Sequence, residues 1–216
     1  MSVVTSLKVD DGLGGFNETT YAYEGLKTHV RGLGSLGFRK LEITDTKTGI
    51  ITTKTFSQDY QKRSGGMIKS LEIRTPENIV MSKEVNQIEN RFEGIYTDRF
   101  FNYFKSKTSV QRDLNGAHIN TVSLENNFDD EGYLQTARKC VSSNNVTLTD
   151  QTILCDDPQM GQLAHDELKS FTYYDDGHVV DAPRKSILRS SVTATVPDSP
   201  PFKDSASETH TVEYEY

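Results

Sequence analysis

Leu41-Glu42-Ile43-Thr44 runs directly into Asp45-Thr46-Lys47-Thr48-Gly49. The first four residues alternate apolar and polar, the period of a strand with one buried face. The next five carry turn chemistry: an Asp side chain bonds its own backbone, and Gly supplies positive φ. Strand, acidic turn with glycine, strand is a hairpin signal. The unit recurs along the chain. Met67, Leu71 and Ile73 share one face, against Ile68, Ser70, Glu72 and Arg74. Val122 and Leu124 alternate with Thr121 and Ser123, and Val192, Ala194 and Val196 repeat the pattern. Val212, Tyr214 and Tyr216 alternate with Glu213 and Glu215. Acidic glycine turns reappear at Asp113–Gly116, Asp129–Gly132 and Asp175–Gly177. The pattern predicts an all-β fold of antiparallel meanders, with roughly a dozen strands of ordinary length and little helix.

Composition agrees. The chain has 216 residues, and Leu, Ile, Val and Phe total 51 of them. That is little above the roughly 20% at which chains lose the ability to fold. Threonine is the commonest residue at 23, with ten Tyr, ten Phe and no Trp. Threonine, valine and aromatics suit a pleated, half-buried surface. Thin layers are expected rather than one thick core. Two stretches carry helix signals. Pro158 to Phe171 has Leu163, Ala164 and Leu168 at helical spacing, with Pro158 near a start. Asp98 to Ser109 crowds Phe100, Phe101, Tyr103 and Phe104 without clean periodicity.

The formal charge of −7 disfavours nucleic acid, which needs clustered cationic charge. No apolar run approaches the roughly 20 residues that span a bilayer. The N-terminus MSVVTSLKVDD lacks the pattern of a classical signal peptide. Residues 1–216 are expected to form a single all-β unit. Within it, 197–208 holds three of the six prolines and reads as an exposed loop before a final strand, Thr209–Tyr216. A chain that stops within a strand suggests a piece of something longer. Cutting it out would expose strand edges at Val3–Val9 and Thr209–Tyr216, so self-association through those edges is expected.

Three stretches together resemble a known family. They are Tyr21-Ala-Tyr-Glu-Gly-Leu-Lys27 continuing through Arg31–Arg39 to Gln58-Asp59-Tyr60, then Arg99-Phe-Phe-Asn-Tyr-Phe104 with Asp113-Leu-Asn-Gly116, then Phe128-Asp-Asp-Glu-Gly132. In that order they resemble the B component of bacterial Tc (ABC) insecticidal toxin complexes and the related Salmonella virulence plasmid B-type proteins. Phe128-Asp129 and Tyr174-Asp175 look like degenerate copies of the family's Rhs/YD repeat, with Phe at 128 departing from it. The resemblance implies a structural segment of a β-strand shell enclosing a toxic effector. It also implies A and C components as partners and a secreted complex. No match to the family's protease is visible.

Other motifs favour plainer readings. Gly32-Leu-Gly-Ser-Leu-Gly37 spells G-x-G-x-x-G. A dinucleotide site needs that motif to open a helix. Here the following Phe38–Asp45 reads as a strand, so a tight corner with close strand approach is expected, with positive φ at one or more of Gly32, Gly34 and Gly37. Glu213-Tyr214-Glu215 echoes the Glu-x-Glu of ADP-ribosyltransferases, but strand alternation accounts for it. Cys140 and Cys155 can pair across neighbouring strands or remain two buried thiols, and cytosolic assembly would favour thiols. A Cys140/His165 nucleophile lacks a supporting signature. The acid pairs Asp10-Asp11, Asp129-Asp130, Asp156-Asp157 and Asp175-Asp176 mark turns rather than a Ca²⁺ loop. Arg99 to Lys107 mixes cations and aromatics and is expected to be a buried aromatic corner rather than a base-stacking surface. Asn17-Glu-Thr19 and Asn145-Val-Thr147 fit the glycosylation pattern, which is expected to be inert in the bacterial protein that the resemblance implies. No catalytic, cofactor-binding or metal residue is expected. The rival readings are a β-sandwich module that binds a host carbohydrate or receptor, and an enzyme with polar groups clustered in a deep pocket.

Overall fold

The computed structural model describes residues 2–30, 34–61, 63–92, 100–129, 133–174, 186–195 and 207–213. They form fourteen strands. The first seven are short: β1 (Ser6–Asp10), β2 (Phe16–Glu24), β3 (Lys27–His29), β4 (Gly34–Gly37), β5 (Lys40–Asp45), β6 (Ile51–Phe56) and β7 (Ile68–Arg74). Longer strands follow: β8 (Val80–Phe92), β9 (Phe100–Arg112), β10 (His118–Phe128), β11 (Leu134–Ser142), β12 (Leu163–Tyr174) and β13 (Ser186–Thr195), closed by β14 (Ser207–Glu213).

Twelve strands make one sheet in the order β1-β2-β5-β6-β7-β8-β9-β10-β11-β12-β13-β14, and β3 and β4 form a separate hairpin. Sheet order follows chain order, and the pairings are antiparallel throughout. At about 4.8 Å between strands the sheet is about 50 Å across. β1 and β14 are its two edges. The all-β meander expected from the alternation is therefore the observed fold.

Turn chemistry explains the order. Asp45 Oδ1 accepts from the Lys47 N–H (2.9 Å), and Gly49 takes φ +70° to bring the chain back from β5 to β6. Asp113 Oδ1 does the same for Asn115 and Ala117 (2.9 and 2.8 Å), with Gly116 at φ +84° joining β9 to β10. Each acidic turn makes neighbours in sequence into neighbours in space.

Both helix candidates are corrected. Asp98 to Ser109 falls largely on β9, whose Ser82–Phe92 partner segment on β8 supplies a long ladder. At Pro158 the start signal is real but short. Asp157 caps the turn by accepting from the Gln159 N–H (2.9 Å), and Pro158 opens a single 3₁₀ turn, Pro158–Met160. Gly161 at φ +59° ends it, and Leu163 onward is drawn into β12 by register with β11. Residues 197–206, most of the expected loop, lie outside the described residues, and β14 begins at Ser207 rather than Thr209.

The core is small and lies on one side of the long-strand half. It comprises Val85, Val110, Cys140, Val146, Leu148, Ile153, Cys155 and Met160. The expectation of one buried apolar face per strand fails elsewhere. β5 and β6 are half-buried at every position.

Candidate functional site

β11 and β12 are antiparallel neighbours, a pair that a tight turn can join. Residues 143–162 join them instead. This strap runs out across β10 and β9 to β8 and returns to β11. Its path is written in its hydrogen bonds. Going out, the carbonyls of Asn144, Val146 and Leu148 accept from Thr121 Oγ1 on β10 (3.0 Å), Arg112 Nη2 on β9 (3.4 Å) and Lys83 Nζ on β8 (2.9 Å). Coming back, Thr152 pairs with Ser106 (2.6 Å), and the Ile153 N–H donates to Thr108 Oγ1 (2.8 Å) while its carbonyl accepts from the same hydroxyl (2.9 Å). Ser123 also donates to the Ile153 carbonyl, and Ser142 to that of Met160.

The strap reverses the sequence expectation for β10. Thr121 and Ser123 are fully buried, whereas Val122 and Leu124 are only half-buried on the open face. A strap with no regular structure beyond one 3₁₀ turn has peptide groups that need partners once water is excluded. Hydroxyls on the sheet supply them, and Val or Leu there cannot. The buried side of this sheet is thus polar for a structural reason that period-2 hydropathy does not carry.

Cys155 on the strap is bonded to Cys140 on β11, with Cα atoms 5.8 Å apart. Of the two alternatives left open by the sequence, pairing is the one found, although it joins a strand to the strap rather than two strands. The bond removes Cys140 as a nucleophile. His165 is opposite Val141 in register, on the sheet face turned away from Cys140, so the Cys140/His165 pair does not form. Next to the disulfide, Arg138 grips Asp166 with two hydrogen bonds (2.9 and 2.7 Å) and the strap's Asp156 with a third (2.9 Å). Asp166, then Asp156, raises the Arg138 pKa. At the strap's root His118 Nε2 is 3.0 Å from Thr121 Oγ1. Since that hydroxyl donates to Asn144, the ring nitrogen must donate to it. Burial, reinforced by Arg112, lowers the His118 pKa below its ordinary 6.5.

The remaining sequence candidates separate. Gly34 and Gly37 have φ +80° and +77° and sit in the β3–β4 hairpin, as a backbone reading of the glycines requires. Nothing lies within 4 Å of a side chain built on either, so the expected close strand approach is absent there, and the strand β5, not a helix, follows. Gly32 lies outside the described residues. Asp10, Asp11, Asp129 and Asp157 each accept backbone N–H bonds of their own turns. The Leu13 and Gly15 N–H groups hold Asp11 below the usual carboxylate range. Asp130, Asp175, Asp176 and Glu215 lie outside the described residues, and Glu213 closes β14. The aromatic and basic run is a strand rather than a buried corner. Phe104 remains exposed, Tyr103 packs on Phe128 at 4.4 Å, and Lys105 and Lys107 meet Glu89 (2.8 Å) and Glu84 (2.7 Å) of β8. Among the described residues no group of three or more His, Cys, Asp or Glu is placed to hold a metal ion, and no helix is long and apolar enough to cross a membrane.

The fold is Tc-toxin-like. A crystal structure of TcdB2-TccC3 superposes with a TM-score of 0.64 at 10% identity, over 88% of this chain and 13% of that one. TcdB2-TccC3 without its hypervariable C-terminal region gives 0.61 at 9% identity, over 84% and 12%. The Tc holotoxin pore of Photorhabdus luminescens gives 0.61 at 10% identity, over 82% and 12%. The chain therefore spans only 12–13% of the length of those chains. No family model matches it, and no curated protein matches it by sequence.

Where the strap turns at Asp150, it faces the segment between β6 and β7 across an open cleft of about 610 Å³. A second cleft of about 490 Å³ adjoins it, and both are lined by Ser57, Asp59, Lys69, Asn86 and Asp150. Sequence reasoning had no signal for this site, because the strap that makes its wall carries no local pattern and its last residues fall in the Pro158 to Phe171 helix candidate. Neither cleft is lined by His or Cys. The buried Ser57 hydroxyl is 2.6 Å from that of Ser64.

Proposed function

We propose that this chain is a non-catalytic structural segment of a bacterial Tc/Rhs-type toxin component of the B kind, and that it builds part of the β-strand shell around a toxic effector. The observation that carries the reading is the likeness of the twelve-stranded meander to TcdB2-TccC3 over 88% of this chain. A wide sheet of consecutive antiparallel strands with a small core suits a wall more than a self-contained core. Partners are then the A and C components of the complex, and the chain is part of a longer protein. The Cys140–Cys155 disulfide supports a secreted setting, since such bonds persist in oxidising compartments. Cryo-electron microscopy of the parent component tests the proposal. The expected result is this sheet in the wall of a closed shell with the effector inside. Finding it outside such a wall, or finding no shell, would overturn it.

A further inference from the structure

The Cys140–Cys155 bond lies under the returning limb of the strap, Thr152–Met160. Cys140 is fully buried and Cys155 is 4% exposed, in a core that Val146, Ile153 and Met160 complete from the strap. The limb is pinned on both sides of Cys155. Ahead of it, Thr152 pairs with Ser106 (2.6 Å), and both peptide groups of Ile153 bond to Thr108. At the cysteine itself the N–H donates to Glu125 Oε1, and the next residue, Asp156, accepts from Arg138 (2.9 Å). Behind it, the Met160 carbonyl accepts from the Ser142 hydroxyl. Thiol–disulfide exchange begins with a thiolate attacking a sulfur, so it depends on access. The seated limb denies that access. Charge acts in the same direction. Three carboxylates border the bond, Glu125 and Asp156 at Cys155 and Asp166 opposite Cys140 in register, and Arg138 is already committed to two of them. The attacking species is an anion, which that excess repels.

We infer that Cys140–Cys155 is a strap-gated redox site, which a dithiol reduces only after the returning limb has lifted off the sheet, so that the Thr108 and Ser142 hydroxyls set the rate of reduction. The exchange moves two electrons from the dithiol to the protein. A thiolate of the dithiol attacks one cysteine sulfur, the S–S bond breaks, and the other cysteine sulfur leaves. The second thiolate of the dithiol then attacks the mixed disulfide. The reductant departs as its own cyclic disulfide, and its two protons end on the two cysteines. Local opening costs less free energy than global unfolding, so the gate is the limb and not the sheet. In a reducing compartment the bond survives for as long as the limb stays seated. The gate operates within the single chain and does not depend on shell building.

The test is the rate at which dithiothreitol reduces the whole 216-residue protein, read by alkylating the new thiols and weighing the intact chain by mass spectrometry. In native buffer the parent is expected to react about a hundredfold more slowly than in denaturing urea. Thr108→Val and Ser142→Ala each unpin the limb and should speed the native rate about tenfold. Gly49→Ala is the control. It strains the β5–β6 turn, away from the strap, and should leave the native rate unchanged although it lowers the unfolding midpoint. Equal native and unfolded rates would overturn the inference, and so would native rates in both limb variants equal to that of the parent. Acceleration by Gly49→Ala that matches Thr108→Val would show exchange through global unfolding, which also overturns it. Ser142→Ala keeps the gate testable should Thr108→Val fail to fold.

Discussion

Thr108 is where residue chemistry and strap meet. It is fully buried, and its hydroxyl serves both peptide groups of Ile153. Thr108→Val keeps the shape and removes the hydroxyl. The Ile153 carbonyl retains Ser123, but its N–H is stranded, at a cost of about 2 kcal/mol. Val122→Thr, on the open face of β10, should cost under about 1 kcal/mol. Urea unfolding of both variants decides between a polar and an apolar buried side. If Val122→Thr is the more damaging, the strap account fails. Glycines rank by the same reasoning. Gly34→Ala meets only its positive φ, worth about 1–2 kcal/mol. Gly49→Ala meets that and also Pro76 Cγ, 2.6 Å from where its Cβ would sit. It should be the more destabilising of the two, and equal unfolding midpoints would refute this. At the C-terminus the Glu-x-Glu echo makes a chemical prediction. The chain should neither hydrolyse NAD nor transfer ADP-ribose to actin, and transfer abolished by Glu215→Gln would revive the enzyme reading.

Elements were legible to the extent that their signals were local. Asp45 to Gly49 and Asp113 to Gly116 made their turns as read, and the runs around Leu41, Leu71 and Val122 became strands. Pro158 gave a true start, but the length of what followed was set by pairing with β11, which no local pattern encodes. The strap was illegible for a related reason: its partners are hydroxyls tens of residues away, and alternation assigns those to solvent. Its latch can be tested directly. Residues 140 and 155 close a 15-residue loop, for which the chain-entropy model gives about 3 kcal/mol. Cys140→Ser/Cys155→Ser should lose stability of that order, and dithiothreitol should have no effect on the double variant. A double variant as stable as the parent would show that the hydrogen bonds alone hold the strap. The root adds a pH dependence. His118 has a lowered pKa when folded, so the unfolded chain protonates first as pH falls. Stability should be full above about pH 6.5 and decline as pH drops through the folded value. In His118→Gln that slope should flatten, and an unchanged slope between pH 7.5 and 5.5 would contradict the assignment.

At the scale of the whole molecule, the meander leaves two edges, β1 and β14, each paired on one side only among the described residues. An unpaired row of N–H and C=O groups templates pairing with another chain. Every residue of β1 is exposed, with Leu7 and Val9 about half accessible, and the flanking Val3 and Val4 are exposed too. β1 does carry Lys8, which bridges to Glu18 (3.4 Å), while β14 contains no lysine. The net charge of −7 opposes contact only weakly, since salt screens it beyond about 8 Å. The protein is therefore expected to associate edge to edge at high concentration, chiefly through β14. Removing β14 would merely expose β13, so the sharper variant keeps the strand and adds charge: Thr209→Lys with Thr211→Lys. Light scattering should show larger species for the parent and a shift toward monomer for the double variant. A parent that stays monomeric at high concentration would refute edge pairing. Association that the two lysines leave unchanged would place the contact elsewhere than β14.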